Sequence, residues 1–259
     1  MNGYRFLATH DCDGTAIVTI DRPEARNAMT PESWRELRHF IEEAGGRDGV
    51  RCIVITGAGD RSFVSGADIA SLNTRTSADT LDASPQAATG AIEQCPKPVI
   101  AAINGYAFGG GFELALACDL RIVCERTRLG LPEPGLGIIP GIGGTQRLAR
   151  CVGLGVAKEI ILAGRAIDGE EAVRLGLALR CVPQPELLAS ALELAASMQT
   201  RGPLALTMAK RLLNAALSTN QESGLLMEKL ALCLLMDTKD KKEGTSAFLE
   251  KRKPSFSGR

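Results

Sequence analysis

The stretch Asn104-Gly105-Tyr106-Ala107-Phe108-Gly109-Gly110-Gly111-Phe112-Glu113 decides the fold of this chain. Just before it, an apolar run rich in β-branched residues predicts a strand over 98–104. After it, the pattern predicts a helix over 113–118 and another strand over 120–124. Strands alternating with helices argue an α/β fold. Three consecutive glycines between strand and helix let the backbone approach a ligand closely and turn N–H groups toward it. Donors so placed suit a developing oxyanion.

Toward the N-terminus, Ala16-Ile17-Val18-Thr19-Ile20 reads as a strand that ends at Asp21-Arg22-Pro23. Thr30-Pro31 opens a helix, with Thr as N-cap and Pro in the first helical position. Trp34, Leu37, Phe40, Ile41 and Ala44 share one face of it, and Gly45-Gly46 stop it. A buried strand follows at 52–56, and the polar segment 71–85 lacks periodicity and reads as a mobile surface segment. Beyond about residue 150 the pattern turns helical, at 155–162, 169–175, 185–198, 203–217 and 222–236. The last of these is apolar nearly all round, which suggests a subunit contact or, failing that, an internal core helix. The chain therefore divides into a core over 1–195 and a helical region over 196–259.

A second carboxylate stands beside a turn in Leu129-Gly130-Leu131-Pro132-Glu133-Pro134-Gly135. Two carboxylates in one apolar pocket cannot both ionise comfortably, so one becomes a base and the other an acid near neutral pH. The bland readings are a first-turn acid for Glu113 and an exposed loop charge for Glu133.

Composition narrows the function classes. Hydrophobic residues make up 45% of the 259, enough for a substantial core. Lys+Arg and Asp+Glu are both 30, so no global field draws the chain to nucleic acid or to a membrane. The eight cysteines include no C-x-x-C pair and read as buried hydrophobes of a reducing compartment, with no metal site. Neither His10 nor His39 lies near a nucleophile signature, which argues against histidine catalysis. No apolar stretch reaches the length of a membrane span, and the first residues lack signal-peptide or transit character, so a cytoplasmic location is expected. Gly141-Ile142-Gly143-Gly144-Thr145-Gln146 fails the dinucleotide fingerprint at Gln146 and reads as a tight turn leading into a helix packed against the site.

The chain resembles the crotonase (enoyl-CoA hydratase/isomerase) superfamily over nearly its full length. The blocks that carry the resemblance are Ser65-Gly66-Ala67-Asp68-Ile69, the run from Lys97 to Gly105, and the triple-glycine block through Asp119. They continue with Pro132-Glu133, the run Gly137-Ile138-Ile139-Pro140-Gly141-Ile142-Gly143-Gly144-Thr145-Gln146-Arg147-Leu148, and Lys239-Asp240-Lys241-Lys242-Glu243-Gly244 leading into Phe248-Leu249-Glu250-Lys251. The resemblance implies a ClpP-like spiral of β-β-α repeats with a C-terminal helical trimerisation region. It also implies a trimer or a hexamer built as a dimer of trimers.

The resemblance further implies an enoyl-CoA hydratase. The oxyanion hole would be the N–H groups of Ala67 and Gly110, and Glu113 and Glu133 the acid/base pair. Both glutamates, and the twenty-residue spacing between them, agree with the hydratase subfamily. Coenzyme A would be part of the substrate, with no separate cofactor. It would be bound around Ala67, Asp68, Ile69 and Ala70, and by Phe248 and Lys251 from a neighbouring subunit. Ala70 stands where several hydratases have Lys, and the bulk of Phe112 and Leu131 suggests a pocket shaped for a ring or branched acyl group. The alternatives are a Δ3,Δ2-enoyl-CoA isomerase, a carnitinyl-CoA or cyclic enoyl-CoA dehydratase, and an RNA-binding protein on this fold. Aromatic residues at 4% and a net charge of zero argue against the last.

Overall fold

The computed structural model describes residues 3–81 and 84–259, apart from the side chains of Ala70 and Ser71. Two sheets are laid down in alternation. β1 (Leu7–Cys12) and β2 (Thr15–Ile20) pair antiparallel across Asp13 and Gly14, both at positive φ. Then β3 (Cys52–Gly57) leads to β4 (Ser62–Val64), β5 (Val99–Ile103) to β6 (Tyr106–Phe108), and β7 (Leu120–Cys124) to β8 (Arg128–Gly130). β9 (Ile167–Asp168) and β10 (Arg180–Val182) complete the set. β3, β5 and β7 join β1, β2 and β10 in a six-stranded sheet ordered β1-β2-β3-β5-β7-β10, while β4, β6 and β8 join β9 in a four-stranded sheet ordered β4-β6-β8-β9. The chain thus climbs as a spiral.

The apolar runs explain the large sheet. Alternate residues of a strand face opposite sides, so a strand apolar throughout is covered on both. Val18, Ile20, Ile53, Ile55, Ala101 and Ile103 join the main core, while Ile17, Cys52, Val54, Ile100 and Ala102 face a second cluster.

The helices are α1 (Pro31–Gly46), α2 (Ile69–Thr74), α3 (Ser77–Thr80), α4 (Ser84–Gln94), α5 (Gly110–Ala117) and α6 (Gly144–Leu162). They continue as α7 (Gly169–Arg174), α8 (Leu187–Gln199), α9 (Pro203–Ala215), α10 (Gln221–Met236) and α11 (Lys239–Leu249). α8 covers the second face of the large sheet through Leu187, Ala191 and Ala195. Residue 195 therefore lies inside that helix.

Thr30 caps α1 as expected, in a reciprocal box with Ser33, and Trp34, Leu37, Phe40, Ile41 and Ala44 are buried. Both Gly45 and Gly46 remain inside the helix, which is capped at Arg47. The segment 71–85, expected to be a mobile surface segment without periodicity, contains the end of α2, all of α3 and the start of α4, with 82 and 83 outside the described residues. α3 is carried by a local box in which Thr76 and Asp79 cap each other, a device that leaves no apolar period to read. α6 starts at Gly144, so the helix expected after the 141–144 turn and the one expected at 155–162 form one element, kinked at Gly153, whose φ is 79°.

α9 is fastened to the core by Lys210, a buried cation that no sequence pattern announced. Its Nζ pairs with Asp119 Oδ2 at 2.7 Å and donates to the carbonyls of Ile92 and Lys97. Thr207 and Asn214 donate to the carbonyls of Pro96 and Glu93. α10 is not an internal core helix of this chain: Ala231 is its buried residue, while Leu226, Leu230 and Leu234 are 58%, 57% and 66% exposed. Among the described residues no helix is long and apolar enough to cross a membrane.

Candidate active site

Three chain turns meet at one cavity of about 760 Å³. They are the glycine-rich entry to α5, the 3-10 turn Glu133–Leu136, and the turn 141–144 that opens α6. α5 starts three residues earlier than the sequence suggested because its glycines make the entry possible. Gly109, its N-cap, has φ 52° and ψ −128°, and a Cβ there would come within 2.9 Å of Glu133 Oε1. Gly111 lies so close to the Val64 carbonyl that no Cβ fits between them. Gly110 is the first residue of α5, so its N–H has no intrahelical acceptor, and it lines the cavity at the positive end of the helix. Ala67 lines the same cavity.

Glu113 sits in the first turn of α5 and is 1% exposed. Its Oε1 accepts the N–H of Ile142 at 2.7 Å and that of Gly144 at 2.7 Å. Burial pushes its carboxyl above the usual range, against the pull of those two donors and of the Arg147 charge. Glu133 opens the 3-10 turn, and burial pushes it up to about 7, with the Glu113 charge adding to the rise. Glu133 Oε2 is buried without a hydrogen-bond partner among the described residues. One carboxylate is thus held by donors, and the other is poised to carry a proton at neutral pH.

The expected residues do not all converge. Ala67, Ile69, Gly110, Glu113 and Glu133 line the cavity, whereas Asp68 does not. Ala70 belongs to α2, and its side chain lies outside the described part. Phe248, 83% exposed near the end of α11, and the exposed Lys251 just beyond it lie outside the cavity of their own chain. Phe112 and Leu131 are 0% and 1% exposed, belong to the main core and do not line the cavity, so their bulk lies behind its wall and not in it. Adjacent helical side chains point about 100° apart, which turns Phe112 inward when Glu113 faces the site. Sequence reasoning missed Trp34, read only as core, and the aliphatic wall of Leu136, Ile138, Ile139 and Ile142.

A helix N-terminus, a donor-held carboxylate and a raised carboxyl around one apolar cavity define a site for acid–base chemistry beside a carbonyl. Residues 11–259 match the family described as enoyl-CoA hydratase/isomerase, and the chain belongs to that family. It is 41% identical over 243 residues to a crotonyl-CoA hydratase of Syntrophomonas wolfei, covering 93% of this chain and 94% of that one. It is 40% identical over 243 residues to a short-chain-enoyl-CoA hydratase of Clostridium acetobutylicum, covering 92% of each. The crystal structure of an enoyl-CoA hydratase from Bacillus anthracis superimposes with a TM-score of 0.95 at 37% identity, covering 98% of this chain and 100% of that one. The fold is the expected one, an α/β crotonase spiral followed by C-terminal helices.

Proposed function

We propose that this chain is an enoyl-CoA hydratase that adds water syn across the 2,3 double bond of a short enoyl-CoA thioester, giving the 3-hydroxyacyl-CoA. The observation that carries the reading is the pairing of Glu113, held by two backbone N–H groups, with Glu133 raised to about 7 in the same cavity. The Ala67 and Gly110 N–H groups receive the thioester oxygen. Glu113, as carboxylate, takes a proton from water while the water oxygen bonds to C3. The π electrons move toward the thioester oxygen, giving enolate character that the helix end stabilises. Glu133 then delivers its proton to C2, and the pair resets by proton exchange with solvent. Each proton transfer contributes about 10²- to 10⁴-fold in rate.

Coenzyme A enters as part of the substrate, with no separate cofactor required by this chemistry. Asp68, Ile69 and Ala70 belong to its binding segment, and Phe248 and Lys251 reach it from a neighbouring subunit in a homotrimer or hexamer. The enzyme acts in cytoplasmic fatty-acid β-oxidation. The names of the Syntrophomonas and Clostridium relatives favour a short acyl chain. A Δ3,Δ2-enoyl-CoA isomerase uses the same enolate and is the second reading.

The test follows the loss of conjugated-enoyl absorbance with crotonyl-CoA for wild type, Glu113→Gln and Glu133→Gln. Hydration by wild type and its loss in both variants is the expected result. A product that is an isomer, with no hydroxyacyl thioester formed, selects the second reading.

A further inference from the structure

We propose that Arg147, itself held by Glu93, is a positioning residue for the base, fixing the 141–144 turn whose N–H groups hold Glu113. The inference rests on the reading of Glu113 as the general base. A turn presents backbone donors in a fixed direction only if its other groups are tied, and this one is tied at three successive carbonyls. Gln86 Nε2 donates to the Gly141 carbonyl at 2.7 Å. Arg147 Nη1 donates to the Ile142 carbonyl at 2.5 Å, and the Arg147 backbone N–H donates to the Gly143 carbonyl at 2.8 Å. The Ile142 and Gly144 N–H groups are left facing Glu113 Oε1.

The guanidinium is fixed in turn by a two-pronged pair, Nε to Glu93 Oε1 at 2.7 Å and Nη2 to Glu93 Oε2 at 2.8 Å. Its side chain is 19% exposed. A planar fork that meets a carboxylate with two donors and keeps a third for a carbonyl is something lysine cannot reproduce. Gly143, at φ 103°, has the guanidinium packed where a Cβ would stand, so backbone and fork share one space. Glu93 lies near the end of α4, which Asn214 and Lys210 of α9 grip through the Glu93 and Ile92 carbonyls. Arg147 does not line the cavity, so its action on the reaction passes through the turn. The charged groups acting on Glu113 are Arg147 from α6 and Glu133 from the facing turn, and Arg147 favours the ionised base.

The experiment compares wild type, Arg147→Met, Arg147→Lys and Glu93→Gln, each first shown to be folded by thermal unfolding. It reads kcat and KM on crotonyl-CoA, together with a ¹³C-carboxyl titration of Glu113 assigned by its disappearance in Glu113→Gln. A base displaced by even 1 Å costs on the order of 10²-fold, so kcat of Arg147→Met is expected to fall by about that factor with KM nearly unchanged. Its Glu113 titration should move to higher pH, and Arg147→Lys and Glu93→Gln should fall between the two extremes. An unaltered kcat with an unmoved Glu113 titration in Arg147→Met overturns the proposal, and so does a loss confined to KM. If Arg147→Met does not fold, the same unaltered pair of readings in Arg147→Lys and Glu93→Gln overturns it. A wild type that hydrates no enoyl-CoA defeats the functional reading, while the Glu113 titration still decides the role of Arg147.

Discussion

Gly144 and Glu113 are joined by a 2.7 Å hydrogen bond that runs from the first N–H of α6 to the carboxylate in the first turn of α5. The positive ends of two helices therefore act on one buried acid, which opposes the effect of burial and keeps the oxygen oriented.

Glu113→Gln should keep this geometry, because the amide oxygen still accepts both N–H groups. The expected outcome is a kcat lower by about 10²- to 10⁴-fold with an unchanged melting temperature, read by crotonyl-CoA hydration and calorimetry. Comparable losses of stability and activity would instead mean that the residue supports the fold.

In the proposed mechanism hydration needs Glu133 protonated, and its carboxyl is raised to about 7. Rate in the hydration direction should therefore fall as pH rises through about 7, since the acid is lost. Dehydration needs the ionised form and should gain over the same interval. Initial rates in both directions from pH 5 to 9 check this, and a shared optimum would contradict the assignment.

Glu133 also links stability to pH. Its folded value of about 7 exceeds the ordinary 4.5, so between these the native state binds more protons than the unfolded one. Wild type should lose stability as pH rises from about 4.5 to about 7, and Glu133→Gln should lack that component. Melting curves across the interval read the difference, and identical slopes for the two proteins would refute it.

Lys210 and Asp119 form a buried pair, with side chains 7% and 19% exposed. Lys210→Met leaves Asp119 unpaired and should cost about 3–5 kcal/mol in urea unfolding. Adding Asp119→Asn should recover part of the loss, because no bare charge is left. A double variant as unstable as the sum of the singles would show that the two side chains do not act as a pair.

Leu226 and Leu230 lie exposed on α10. If this face joins subunits, as the sequence suggested, Leu226→Glu with Leu230→Glu should lower the mass measured by light scattering to that of one chain. A wild type that is already monomeric would dismiss the assembly.

Legibility of the fold tracked strand length together with apolar character, so β1, six residues long but polar and largely exposed, went unread. β2, β3, β5 and β7 are apolar runs of five or six residues whose character is local. β4, β6, β8 and β9 have two or three residues each and exist only because partners from distant turns align them. In the site, the glycines and both glutamates stood out because acid–base chemistry beside a carbonyl needs those types. The donors that hold Glu113 did not, since they are backbone groups that any residue carries. Trp34 reads as core because its place in the cavity wall depends on its ring coming to lie beside Gly110, a residue far away in sequence. Arg147 was quoted within a motif, yet its partner Glu93 lies on a helix whose apolar face, Ala88 and Ile92, is too slight to read.

Ile142 holds Glu113 with its N–H while its side chain forms part of the cavity wall. Under the proposed function, reactivity and selectivity are therefore carried by different halves of one residue. On that reading, evolution or an engineer is free to exchange the side chain and so retune which acyl groups are accepted, leaving the proposed base in its harness. Diversification of such an enzyme has an inexpensive route, in which new substrates are recruited without rebuilding the chemistry that acts on them.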